Sequence, residues 1–161
     1  MSKKRKVNKE TKTYQNKIIR RLKKKLLNLW SLKIKEKVGN KCEVDGCLTG
    51  NALNSHHVEN FVVNPELRYD LHNGVCLCQS HHKFLSVSAH KSFIFMYELM
   101  TKKHPEDLQY LLNFKTTGEE LTVEKLEQKI KEMEATKFIN HQQENVASNQ
   151  QESSVLFPEQ K

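Results

Sequence analysis

The sequence has little glycine or proline and no long apolar run, and each shortage excludes a class of protein. Five Gly and three Pro among 161 residues are too few for collagen or for a Gly/Pro-rich disordered chain. No run of about 18 apolar residues occurs, so we expect no membrane-spanning helix and no membrane partner. The basic start lacks the apolar segment of a secretory signal, so we expect an intracellular protein. The length suits one domain with appendages.

Positive charge is abundant, and its distribution is uneven. The formal net charge is +8. Residues 1–41 carry sixteen Lys and Arg against two Glu, a net of +14, whereas the other 120 residues carry eleven basic and seventeen acidic groups, a net of −6. A basic segment before a mildly acidic body favours a polyanion as partner, and we expect nucleic acid. The alternative is that this segment only keeps the chain soluble.

Composition and apolar spacing divide the chain into five segments. A basic amphipathic helix is predicted at 13–39, because Ile18, Leu22, Leu26 and Leu29 recur at helical spacing and Gly39 follows the last turn. In chain order we expect a disordered basic tail at 1–12, that helix at 13–39, a central domain at 40–102, two further helices at 103–138 and a disordered polar tail at 139–161.

Within the central domain, the pattern predicts two short strands and one helix. The strands are expected at 52–58 and 75–78 with a loop at 59–72 between them, and the helix at 80–102. We expect the four apolar residues at 93–96 to belong to the core rather than to a contact surface. The predicted class is therefore α+β.

Cysteine and histidine cluster in a way that is typical of a metal site. Disulfides are improbable inside a cell, where thiols stay reduced. Cys42-x4-Cys47 and Cys78-x2-His81 each form a turn that can aim two ligands at one point, and four such ligands satisfy tetrahedral zinc. Cys76 is a competing ligand. Its i, i+2 spacing from Cys78 on a strand separates the sulfurs, which favours Cys76 as a small buried residue.

The Cys42–Cys47 and Cys78–His81 turns are hereafter called the two knuckles. A second set of side chains lies between or directly beside them. His56 and His57 end the first strand, Asn73 precedes the second strand, and His82 follows the predicted zinc ligand His81. Adjacent strand residues point to opposite faces, so one His of the pair can bind a metal while the other faces water or substrate. The alternative is that these histidines are surface residues or only support the zinc site.

These residues resemble the HNH endonucleases, especially the small phage-type enzymes with zinc knuckles. The family pattern is a His at the end of a strand, an Asn before the next strand and a His after eight intervening residues. Here these are His57, Asn73 and His82. The stretches 54–58, 65–75 and 77–83 are similar to the family throughout, and the resemblance covers roughly residues 40–90.

The resemblance implies a ββα-metal finger and a role for each matching position. His57 matches the general base, Asn73 matches the residue that ties down the loop and orients the base, and His56 and His82 match the ligands of a catalytic divalent ion. Cys42, Cys47, Cys78 and His81 match the structural zinc set. The catalytic ion stays open between Mg²⁺, Mn²⁺, Ni²⁺ and Zn²⁺. The x4 knuckle, His81 in place of Cys and His56 in place of a usual carboxylate depart from the family pattern.

The function implied by the resemblance is metal-dependent hydrolysis of phosphodiester bonds in double-stranded DNA, by a homing or freestanding endonuclease. It also implies a phage-encoded protein acting in the cytoplasm of a host cell. The expected DNA contacts are Arg20, Arg21, Lys23, Lys24 and Lys25 on the basic helix, and Arg68, which is equally suited to anchoring the loop.

Two other functions stay open from the sequence alone. One is a zinc-stabilised nucleic-acid-binding module without catalysis, and the other is an RNA-directed nuclease or binder. The C-terminal helices have three open roles, which are packing on the finger, forming a dimer and adding site selectivity.

Overall fold

A computed structural model describes residues 2–49, 52–60 and 62–138, and the predicted polar tail at 139–161 lies outside them. The chain combines helices with one two-stranded antiparallel sheet, in agreement with the predicted α+β class. The elements are α1 (Ser2–Lys37), β1 (Leu53–His57), 3₁₀ turns at Pro65–Tyr69 and Leu71–Asn73, β2 (Gly74–Cys78), a π-helical turn at Ser80–Phe84, α2 (Phe93–Lys103), α3 (Pro105–Asn113) and α4 (Val123–Ala135). Within these described ranges, no helix is both long and apolar enough to cross a bilayer.

Helix α1 begins well before the predicted start at residue 13. Residues 2–12, which we expected to be disordered, form its first turns. The segment is rich in lysine, a good helix former, and it contains no glycine or proline that would interrupt the backbone hydrogen bonds. The helix ends at Lys37, and Gly39 follows with a φ of +63° while the Asn40 amide donates to the Lys35 carbonyl at 2.8 Å. The predicted glycine stop is therefore confirmed.

The two strands pair from Leu53 opposite Cys78 to His57 opposite Gly74. Strand β2 is buried along its whole length. Its Cys76 packs toward α1 and α4, and its Val75 and Leu77 pack toward α2. The sheet therefore lies between two hydrophobic clusters, with α1 covering one face and α2 the other.

The core on the α1 side explains what the C-terminal helix does. Three buried residues of α1, Leu26, Trp30 and Ile34, pack with three of α4, Leu126, Ile130 and Met133. The α1 residues recur at i, i+4 and i+8, and the α4 residues recur at i, i+4 and i+7. Each spacing places its three residues on one helical face. Helix α4 therefore packs on α1, whereas the role left open by the sequence was packing on the central finger, whose Tyr69 and Cys76 belong to the same cluster.

The region predicted as a single helix at 80–102 is interrupted, and that prediction was wrong. Chain reversal follows the π turn, and α2 starts only at Phe93, where the Ser92 hydroxyl accepts a hydrogen bond from the Phe95 amide at 3.2 Å. The Ser88 carbonyl accepts from the amides of Lys91 and Ser92, both at 2.9 Å. The bond to the Ser92 hydroxyl is of the kind by which serine favours a helix start over a continuing helix, which the apolar pattern did not register.

The core assignment of residues 93–96 was also wrong in part. Phe93 is 81% exposed and Ile94 is 67% exposed, whereas Met96 is buried and Phe95 packs partly against the α2-side core. Because α2 begins at Phe93 rather than continuing from Ser80, its buried stripe is set by Met96, Leu99 and Met100.

Gly74 is the point at which the sheet and α1 come closest. A Cβ atom at this position would lie 2.4 Å from Ile34 Cδ1 and 2.8 Å from Trp30 Cζ2. We therefore expect Gly74→Ala to lower the free energy of unfolding by about 1–3 kcal/mol through overpacking, measured by urea denaturation. Combining it with Ile34→Ala should be less destabilising than the sum of the two single changes. Strictly additive effects would contradict this close contact.

Candidate metal centres

The four predicted zinc ligands lie at one point. The ligand atoms of Cys42, Cys47, Cys78 and His81 are all within 4.8 Å of one another. Cys47 Sγ lies 3.8 Å from Cys78 Sγ, and His81 Nδ1 lies 3.2 Å from Cys78 Sγ and 3.6 Å from Cys42 Sγ. Tetrahedral zinc with Zn–S bonds near 2.3 Å places its sulfur ligands about 3.8 Å apart. This Cys/His cluster can therefore bind a structural metal such as zinc.

Local backbone structure directs the side chains of each ligand pair, Cys42 with Cys47 and Cys78 with His81, toward the same point. The Cys42–Cys47 turn is closed by the Cys47 amide donating to the Val44 carbonyl at 3.1 Å, and Gly46 adopts a φ of +71°. Glu43 joins this turn to β2, because its amide donates to the Cys76 carbonyl at 3.0 Å and its carboxylate accepts from the Cys76 amide at 2.6 Å. Cys78 ends β2, and His81 lies three residues later in the π turn.

The thiols differ in how readily they lose a proton. Burial raises the pKa of Cys42 to about 12, and a hydrogen bond from the Thr49 backbone lowers the pKa of Cys47. A divalent cation must therefore displace the Cys42 proton, which couples metal binding to proton release. Cys76 is fully buried among the residues of α1 and α4 and lies outside the cluster, so its prediction as a small core residue is confirmed.

A second cluster consists of His56, His82 and His90. Each offers a ring nitrogen, and these nitrogens lie within 4.8 Å of one another. His82 Nε2 and His90 Nε2 are 3.1 Å apart, and the His56 ring centroid lies 5.1 Å from that of His82 and 4.8 Å from that of His90. The cluster opens into a cleft of about 380 Å³, which His57 also lines.

Burial keeps two members of this cluster, His56 and His82, in their neutral form at pH 7. Burial lowers the pKa of His56 to about 4, and the nearby rings of His82 and His90 add to the effect. Burial also lowers the pKa of His82, with further contributions from His90 and Lys83. Neutral imidazoles carry the lone pairs that bind metals, and three of them form a ligand set that suits Zn²⁺, Ni²⁺ or Cu²⁺.

Sequence reasoning missed His90 because it placed this residue on a continuous helix, eight positions after His82. At 1.5 Å per residue, the two would then lie about 12 Å apart along the axis. The chain instead folds back, with the Ala89 amide donating to the His81 carbonyl at 2.9 Å and the His90 amide donating to the His82 carbonyl at 3.3 Å. The signal that could have found it was the Ser86–Ser88 segment, whose two serines disfavour a helix.

His57 points to the opposite face of β1 from His56, as the strand alternation predicts. Its ring stacks on Trp30 of α1, with centroids 3.9 Å apart and planes 5° from parallel. His57 Nε2 lies 2.9 Å from the Arg68 carbonyl oxygen. A carbonyl only accepts, so Nε2 carries the proton of the neutral ring and the basic lone pair lies on Nδ1. Burial lowers the pKa of His57.

Asn73 holds the loop that follows β1. It is fully buried, and its Oδ1 accepts from the Glu59 amide at 2.6 Å. Its Nδ2 donates to the carbonyls of Glu59 and Leu67, both at 3.0 Å. The next residue, Gly74, pairs with His57 in the sheet. Asn73 therefore fixes both ends of the loop at the point where His57 is held.

The predicted DNA-contacting residues do not all lie in the same setting. Arg20, Arg21, Lys23 and Lys24 are exposed on α1. Lys25 is exposed too, but its Nζ pairs with the Glu134 carboxylate of α4 at 2.8 Å. Arg68 is half-buried in the first 3₁₀ turn, 6.0 Å from the Tyr69 ring centroid, and its backbone holds His57. This position agrees with the loop-anchor role that the sequence left open for Arg68.

No family model, curated protein or solved structure matches this chain.

Proposed function

We propose that this chain is a metal-dependent DNA endonuclease of the HNH type, which hydrolyses phosphodiester bonds. The observation that carries the proposal is the juxtaposition of the His56, His82 and His90 cluster with His57 in one cleft. A cluster of three imidazoles beside a fourth that is held by its Nε2 atom supplies both a cation site and a base.

His56, His82 and His90 would hold the catalytic divalent ion. When bound, such an ion neutralises charge on the phosphate and on the leaving oxygen. The three imidazoles add no negative charge and leave part of the coordination sphere for substrate and water. His90 thereby extends the two-ligand set that the sequence suggested.

His57 is the proposed general base. The Trp30 stack and the Arg68 carbonyl fix the ring, so Nδ1 can accept a proton from a water molecule in the cleft. The water oxygen forms a bond to phosphorus as its proton passes to Nδ1, and the P–O3′ bond breaks with its electron pair leaving on the 3′ oxygen. The lowered pKa of His57 keeps this ring unprotonated at neutral pH, so that it is available to accept a proton.

We assign residues 40–90 to a ββα-metal finger as part of the same proposal. Its support is the order of elements, since β1 and β2 flank a loop closed by Asn73 and a helical turn follows with His81 and His82. That helical part is a single π turn followed by a reversal, and the reversal supplies His90. The Cys/His cluster would then hold the finger together as a structural zinc site.

Helix α1 is the proposed holder of duplex DNA. A helix of 36 residues is about 54 Å long, and the side chains at 11–17 are all exposed to solvent. Arg20, Arg21, Lys23 and Lys24 can neutralise phosphates without reading sequence. Each phosphate contact should contribute about −0.9 to the slope of log affinity against log salt.

Plasmid cleavage tests this function and the role of His90 together. We expect the wild-type protein to nick or linearise supercoiled plasmid when Mg²⁺, Mn²⁺, Ni²⁺ or Zn²⁺ is added. We expect His90→Ala to need roughly 10–100-fold more metal for half-maximal cleavage, since it loses one ligand. His72→Gln is the matched control, because His72 lies away from the cleft and pairs with Asp107 at 2.6 Å.

Two outcomes would contradict the proposal. Absence of cleavage with every metal, together with salt-sensitive DNA binding, would favour the non-catalytic zinc-stabilised module. Cleavage of RNA but not of DNA would make the chain an RNA-directed nuclease. A metal requirement of His90→Ala equal to that of wild type would remove His90 from the ligand set and leave the other two in place.

A further inference from the structure

Several large apolar side chains are exposed beside the histidine cluster. They all belong to the segment from the π turn to the second turn of α2. They are Phe84, Leu85, Val87, Phe93, Ile94 and Tyr97, hereafter the exposed apolar set. Exposed apolar groups gathered in this way mark an interaction surface more often than isolated ones do.

Members of the exposed apolar set follow two of the cleft histidines closely in sequence. Phe84 follows His82 by two residues, and Phe93 follows His90 by three. The two flanks are joined, because Lys91 Nζ donates to the Phe84 carbonyl at 2.9 Å. The Phe93 and Tyr97 rings stack with centroids 6.1 Å apart on the first turns of α2. The set therefore adjoins, along the chain, two of the histidines that line the cleft.

Charge on this surface identifies the kind of molecule that it fits. No Asp or Glu occurs between Asp70 and Glu98, and Lys83 and Lys91 lie among the apolar residues. Among the described residues that line the cleft, none is acidic either. Along residues 71–97, apolar side chains are interleaved with cations, and the next carboxylate in sequence is Glu98, one turn after Ile94 on α2. Such a segment suits a polyanion that also presents flat apolar faces, which describes stacked bases between phosphates.

We propose that the exposed apolar set inserts into the minor groove of duplex DNA and partly unstacks the base pairs beside the scissile phosphate. The inference rests on the proposed function, which makes DNA the substrate. Apolar wedges that enter the minor groove open base steps and bend the duplex, while nearby cations hold the phosphates. In this chain the bend would bring the backbone into the cleft of His56, His82 and His90.

The test compares alanine substitutions at exposed residues inside and outside the exposed apolar set. It uses the full-length, zinc-loaded protein. All proteins carry His57→Ala so that the DNA stays intact. The variants are Phe93→Ala and the double change Phe84→Ala/Phe93→Ala, and the control is Leu112→Ala, an equally exposed residue on α3. Affinity for a linear duplex is measured by fluorescence anisotropy at several salt concentrations. Unwinding is measured from the linking number of a plasmid closed by a topoisomerase in the presence of protein.

We expect the double variant to bind on the order of tenfold more weakly and to unwind the plasmid less, whereas Leu112→Ala behaves like the parent. The salt slope should not change, because no phosphate contact is lost. Equal binding and unwinding by all variants would overturn the inference. So would a change in oligomeric state by sedimentation without an effect on DNA, which would assign the set to a second copy of the chain.

The inference and the proposed function can fail separately. If the protein with His57 intact cleaves DNA while the Phe variants bind and unwind like the parent, the nuclease stands and the inserted set is refuted. If the parent unwinds DNA through the apolar set but the protein with His57 intact never cleaves, the reverse holds. A parent protein that does not bind duplex DNA would overturn both.

Discussion

Replacement of His57 by alanine is expected to lower plasmid cleavage by about 10²–10⁴-fold, the usual contribution of a positioned general base. The change removes the Nδ1 lone pair that accepts the proton of the attacking water. It leaves His56, His82 and His90 in place, so metal affinity should persist. The measurement is the initial rate of nicking of supercoiled plasmid at saturating divalent metal.

The His57 variant needs a control for folding, because its ring also packs on Trp30 at a centroid distance of 3.9 Å. Unchanged zinc content and circular dichroism would show that the loss is chemical. Added imidazole should restore part of the rate by entering the space that the ring vacates beside Trp30, which a purely structural defect would not permit. Cleavage by His57→Ala at the wild-type rate would remove His57 as the base.

The parts of the site that the sequence predicted are those set by short stretches of chain. Cys42 and Cys47 belong to one turn, and Cys78 and His81 to one strand end, so spacing alone brings each pair together. The opposite orientation of His56 and His57 follows from the two-residue period of a strand. Even here, only the fold brought the two knuckles to within 4.8 Å of one another.

The parts of the site that could not be predicted from the sequence depend on packing between segments that are distant along the chain. The Trp30 ring supports His57, and its Nε1 donates to the Asp70 carbonyl at 2.8 Å, forty positions along the chain. His90 depended on a chain reversal that local propensity did not reveal. Helix periodicity identifies which residues are buried, and it does not identify what they are buried against.

Phe93 shows that the apolar pattern also failed to identify which apolar residues of a helix stay exposed. An apolar residue in a predicted helix is usually buried, yet the position of the helix start decides which face turns inward. With α2 capped by Ser92, the buried face is formed by Met96, Leu99 and Met100. The apolar residues left outside are the ones for which a binding partner was inferred.

Removal of the structural metal is expected to unfold the central domain, and Cys42→Ala should have the same effect. Apparent binding free energies of structural zinc are about 10–16 kcal/mol, whereas a whole domain is stable by about 5–15 kcal/mol. The sheet has only two strands, and the Cys42–Cys47 turn reaches β2 through Glu43 and the cluster. Without the metal, the Cys42 thiol keeps its proton, because burial raises its pKa to about 12, and its weak contact with His81 Nδ1 at 3.6 Å takes the place of much stronger metal–ligand bonds.

The matched variant is His82→Ala, because His82 lies next to the proposed zinc ligand His81 but belongs to the other cluster. We expect it to keep one equivalent of zinc and a wild-type melting temperature while losing plasmid cleavage. Cys42→Ala should lose the zinc and melt at a much lower temperature, as should the wild-type protein after treatment with a strong chelator. Zinc is measured by atomic emission and unfolding by circular dichroism. If His82→Ala also loses zinc and unfolds, the two clusters form one metal centre, because a separate site would not depend on His82 for its stability.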